Sequence, residues 1–169
     1  MFFRLSLILI FITSTLFSQE LIVPKTYDFT LTNGLRVILI EDDYQPILLM
    51  NLLINSGTNE DVKVGTSLLL AGLLTKGTRD FPSSDFSETV DINGASIGAS
   101  VGYTYIHASM TCLTSVKQTM IHIFSDMILH PSFSKKDFDL LKAQMIVNLE
   151  ESQSDNKWLL SYFATKHYY

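Results

Sequence analysis

The chain has 169 residues, 47% of them hydrophobic and only 17% charged, which suits one domain with a sizeable core and excludes a mainly disordered protein. A formal charge of −5 leaves no basic footprint for nucleic acid. The one cysteine, Cys112, permits neither an intrachain disulfide nor a cysteine-rich zinc site.

Residues 1–18 read as a secretory signal peptide. Arg4 supplies the positive end, Leu5 to Ile12 form an apolar run broken only by Ser6, and Ser18 offers a small residue for cleavage. A membrane anchor is the competing reading, but the uninterrupted apolar run is too short to span comfortably. The expected mature protein, residues 19–169, is therefore secreted or periplasmic, without stable membrane insertion.

Tyr27, Phe29 and Leu31 alternate with Asp28, Thr30 and Thr32, the period of a strand. Asn33-Gly34 tolerates the positive φ of a tight hairpin, and Leu35 to Ile40 reads as the returning strand. Ile47 to Ile54 is apolar on both faces, which places it at the centre of a sheet. The stretch from Gly65 to Thr78 is the most apolar internal run. Leucines at 68, 69, 70, 73 and 74 make it a helix enclosed by protein. Its length of roughly 16 Å is too little for a bilayer.

Pro82-Ser83-Ser84 starts a helix that Asn93-Gly94 can cap near Ile92, with Phe86 and Val90 facing inward. A small-residue strand, Ala95 to Val101, is followed by a partner, Tyr103 to Leu113. Ile106, Ala108, Met110 and Cys112 take the core face of that partner. Thr114 opens a helix that His130-Pro131 ends. Ser134 and Asp137 make a near capping box for another, whose inner face is Phe138, Leu141, Met145 and Leu149. Asp155-Asn156 interrupts it before Trp158, Leu159, Tyr162 and Phe163. The fold class is α+β, a mostly antiparallel sheet covered by helices.

The hairpin phrase Leu31-Thr-Asn-Gly-Leu-Arg-Val-Ile-Leu39, the turn Ser56-Gly57-Thr58-Asn59-Glu60, the helix frame ending in Lys76-Gly77-Thr78, and His130-Pro-Ser-Phe133 occur in the order of the insulinase/pitrilysin family, which the chain resembles over residues 27 to 169. In active members of that family the helix carries H-x-x-E-H, two zinc-binding histidines and a glutamate general base. Here the matching positions are Leu68, Ala71 and Gly72, so both histidines and the base are missing.

The family's third zinc ligand, a glutamate roughly seventy-five residues downstream, corresponds to Glu150 or Glu151. Without partners, a carboxylate there is an ordinary solvated group, since a zinc site needs three or four protein ligands. His107, His122, His130 and His167 do not rescue the site; His122 and His130 are too far apart on one helix to share a metal. No Gly-x-Ser-x-Gly elbow is present, and Cys112 reads as an apolar filler. No catalytic, cofactor or metal residue is therefore expected in this chain.

The resemblance implies the N-terminal domain of such a protein, with the C-terminal half absent. It points to the non-catalytic, processing-peptidase-like subunits, which help enclose a chamber for unfolded peptide beside a zinc-bearing sibling. Two other readings stand beside it. One is an active zinc metalloendopeptidase that draws its ligands from outside this chain; the other is an envelope binding protein that keeps only the fold.

Overall fold

The computed structural model describes residues 24–168, so the expected signal peptide lies outside the described residues. The chain divides after Gln45 into two compact units.

The first unit is a hairpin of β1 (Lys25–Thr30) and β2 (Arg36–Glu41), antiparallel with Lys25 opposite Glu41 and Thr30 opposite Arg36. The connection is wider than a two-residue turn. Leu31 and Leu35 still pair, and the Gly34 N–H donates to the Leu31 carbonyl at 2.9 Å. Only Gly34 takes a positive φ, of 87°. Asn33 instead uses its side-chain oxygen to accept the Leu35 N–H at 3.1 Å.

The second unit runs β3 (Ile47–Ile54), α1 (Thr66–Leu74), α2 (Ser83–Ile92), β4 (Ser96–Val101), β5 (Ile106–Leu113), α3 (Lys117–Leu129), α4 (Lys135–Ser152) and α5 (Asn156–Tyr168). Its sheet is antiparallel in the order β3-β5-β4. With the hairpin's separate antiparallel sheet, this makes the α+β class expected from the sequence.

One placement is corrected. Among the described residues β3, expected at the centre, is an edge strand of this sheet, and β5 is central. Leu48, Met50 and Leu52 of β3 pack on the core, while Leu49 and Leu53 are exposed on the other face. Apolar side chains on both faces do not prove that both faces are covered.

The core forms where β5 meets the helices. Ala108, Met110 and Cys112 of β5 pack with Phe86 and Val90 of α2 and with Met120, Ile123, Phe124 and Met127 of α3. Alternation along β5 drives this, because residues two apart share a face and all four expected inward positions are buried. β5 begins later than expected because Gly102 to Tyr105 close a turn, with the Gly102 N–H donating to the Tyr105 carbonyl at 2.7 Å. Gly57 lies against that turn. A Cβ at 57 would stand 2.4 Å from the Tyr103 carbonyl oxygen, so only glycine allows the approach.

A buried carboxylate ties the loops together. Asp126, on the last turn of α3, is 4% exposed. It accepts the Asp80 N–H at 3.3 Å and lies 2.8 Å from His130 Nδ1, and the Thr78 hydroxyl also donates to it. Around it, the Arg79 N–H reaches the His130 carbonyl at 2.9 Å and the Ser132 N–H reaches the Gly77 carbonyl at 3.1 Å.

The Thr78 hydroxyl, foremost, holds the Asp126 carboxyl below the ordinary carboxylate range. His130 and the Asp80 N–H add to it, against the burial that opposes ionisation. Such a group stabilises the fold above its unfolded value, about 3.9, and that support is lost as pH falls through the lower folded value. Asp126→Ala, which orphans these donors, is expected to lower stability by about 1–3 kcal/mol at neutral pH. Asp126→Asn should also flatten the loss of stability below about pH 4. Urea denaturation at a series of pH values checks both.

Candidate functional site

α1 occupies the place of the expected zinc helix, and its start is built by a residue the sequence reading passed over. Asp61 lies in the loop ahead of the helix. Its carboxylate accepts the Gly65 N–H at 3.1 Å, the Ser67 N–H at 2.9 Å and the Ser67 hydroxyl at 2.5 Å. Free N–H groups at a helix start favour a negative charge, so Asp61 acts as the cap from four residues upstream of Gly65. The Ser67 hydroxyl is the main cause, with the backbone N–H groups, of a carboxyl value below the ordinary range. Gly65 makes the reversal possible with a φ of 91°. The only sequence signal was an aspartate shortly before an apolar run.

The degenerate motif positions Leu68, Ala71 and Gly72 share one face of α1, as spacings of three and four require, but differ in burial. Leu68 is 49% exposed, so the helix is not enclosed on all sides as expected, whereas Ala71 is 2% exposed against the core. Gly72 shares the strip of Leu68, one turn on. Its missing side chain is replaced by a neighbour: a Cβ at 72 would stand 2.7 Å from Leu141 Cδ2 of α4. Leucine and alanine side chains offer no lone pair to a metal, and the space beside Gly72 is taken by hydrocarbon. These residues do not fit zinc.

Glu150 and Glu151 are exposed in the last turn of α4. From Leu141, which touches α1, Glu150 is nine residues further along the helix, roughly 13 Å at 1.5 Å per residue. Of the four expected inward residues of α4, Leu141 and Met145 are partly buried, while Phe138 and Leu149 are exposed.

The histidines are dispersed. His107 Nε2 lies 2.9 Å from Asn51 Oδ1 across the outer face of the sheet. His122 meets the Phe81 ring edge-on at 5.8 Å between centroids, and His130 serves Asp126. Among the described residues no three His, Cys, Asp or Glu side chains are placed to share a metal ion. Cys112 is buried, and burial pushes its thiol value up. A cleft of about 700 Å³ lies away from the motif, between Thr78–Ser83 and His130–Ser134.

A sequence profile described as Insulinase (Peptidase family M16) matches residues 36–167, most of the chain. The chain belongs to the insulinase family. Among solved structures, a peptidase M16 inactive domain from Pseudomonas fluorescens superposes with a TM-score of 0.79 at 20% identity, covering 84% of this chain and 35% of that one. A protease from Helicobacter pylori superposes with a TM-score of 0.65, also at 20% identity, covering 77% of this chain and 31% of that one. This insulinase-family chain thus spans about a third of either relative's length. No curated protein matches it.

The packing of α1 makes a specific prediction. Gly72→Ala gains up to about 1 kcal/mol of helix propensity but must displace the flexible end of Leu141, so the two effects should nearly cancel. The triple change Leu68→His, Ala71→Glu, Gly72→His should take up no zinc and show no chelator-sensitive hydrolysis. It buries a carboxylate at position 71 and meets Leu141 at position 72. Thermal melts and elemental analysis of the two variants check this.

Proposed function

We propose that this chain is a non-catalytic insulinase-family subunit that helps form a peptide-binding chamber beside a zinc-bearing sibling. The observation that carries the reading is at Gly72. The second ligand position has no side chain, and Leu141 lies against it. The motif is thus not merely missing its histidines; its space is used for packing. The description of the Pseudomonas fluorescens relative as an inactive domain supports the same reading.

The chamber, the unfolded peptide and the sibling come from the family resemblance and belong to the whole protein. The N-terminal segment carries the second part of the proposal, export to the periplasm or an equivalent space with cleavage after Ser18. Among the described residues no helix is long and apolar enough to cross a membrane.

Two measurements test this reading. Tagged full chain recovered from its own cells should carry a family member bearing H-x-x-E-H, and should raise that sibling's hydrolysis of an unfolded peptide while cleaving none alone. One zinc per chain with chelator-sensitive hydrolysis by the chain alone would overturn the reading. Mass spectrometry of the same material should find an N-terminus at Gln19, whereas an intact Met1 in the membrane fraction would replace export with anchoring.

A further inference from the structure

The geometry points to a docking surface on α1, a groove that takes an apolar polypeptide segment bearing carboxylates. It lies on the Leu69–Leu73 strip rather than on the Leu68–Gly72 strip, which holds two of the degenerate motif positions.

The groove has a volume of about 570 Å³ and is walled by Val64, Leu69, Leu70 and Leu73 on one side and Phe133 and Phe138 on the other. Lys63 and Lys142 stand at it, and no acidic residue lines it. Neither lysine has an ion-pair partner among the described residues. Two unpaired ammonium groups beside a hydrocarbon floor disfavour a basic occupant and favour one with carboxylates flanking its apolar side chains.

Two further observations show a surface that is held ready. Val62 and Val64 are 99% and 102% exposed, although the loop that carries them is fixed by Asp61 at its start and by the Asp61–Gly65 and Asp61–Ser67 hydrogen bonds at its end. Val64 lines the groove, so its exposed side chain extends the apolar floor that an occupant would cover. Phe133 has a φ of 42°, the left-handed region that bulky residues avoid, and its ring is nonetheless 45% exposed in the groove. Strain of this kind concentrates at ligand-binding positions. Burying that ring under an occupant supplies contacts that the chain itself does not.

The test uses full-length chain and two short fluorescein-labelled peptides, one of leucine pairs separated by glutamates and one with lysine at each glutamate position. Fluorescence anisotropy should show binding of the acidic peptide and not of the basic one. Lys63→Glu with Lys142→Glu, both on exposed side chains, should weaken the acidic peptide about tenfold and transfer the preference to the basic one. Val64→Asp should remove binding of either, while Lys166→Glu on α5 should change nothing. Equal binding of both peptides, no binding of either, or an unchanged affinity after the double charge reversal would overturn the inference. So would a peptide-free dimer that Val64→Asp dissolves, since the occupant would then be a second copy of the chain.

Discussion

The carboxylate of Asp126 fixes the relation between the loops on which the second unit depends. Thr78, Asp80 and His130 all converge on it, and those three residues lie at the exit of α1, the approach to α2 and the end of α3. Ladder-like contacts between Gly77–Arg79 and His130–Ser132 then bring α4 in beside α1. A buried carboxylate is tolerable because each of its oxygens has a donor. The hydrophobic contacts of β5 supply the bulk of the stabilisation. They are non-directional, however, and do not by themselves say where one helix stops and the next begins.

Much of this fold was legible because local chemistry and tertiary packing agreed. Ser134 does accept the Asp137 N–H at 3.1 Å, Asn93-Gly94 does close α2, and the Ile106–Cys112 alternation does face the core. Most of what stayed hidden depends on residues far apart in sequence. Asp126 sits in a helical stripe as an unremarkable acid, and its partners Thr78 and Asp80 lie more than forty residues earlier. β3 looked central because its composition is apolar, whereas strand order is decided by which chain closes beside it. Asp61 caps α1 through a loop, so no fixed spacing announces it.

The candidate site divides in the same way. That Leu68, Ala71 and Gly72 lack donor atoms is visible in the sequence alone. That Leu141 lies against the vacant position at 72 is a tertiary fact, because α4 lies almost seventy residues away. α1 now serves three surfaces. Ala71 and Leu74 belong to the core, Leu68 meets water, and Leu69 with Leu73 faces the lysine-flanked groove. A helix so apolar can change its neighbours without changing its own sequence, since hydrophobic contact sets few geometric demands. The enclosing residues carry the specificity.

Cys112 shows how this packing bears on the life of the chain. Its thiol lies on the inward face of β5 with its ionisation suppressed by burial, and thiolate is the form that reacts with oxidants. In an oxidising compartment the folded protein therefore shields its only sulfhydryl, while the unfolded chain offers it freely. Chemical damage at this position then depends on how long folding takes rather than on how long the folded molecule persists. A chain that folded slowly in such a compartment would leave this thiol open to oxidation for longer.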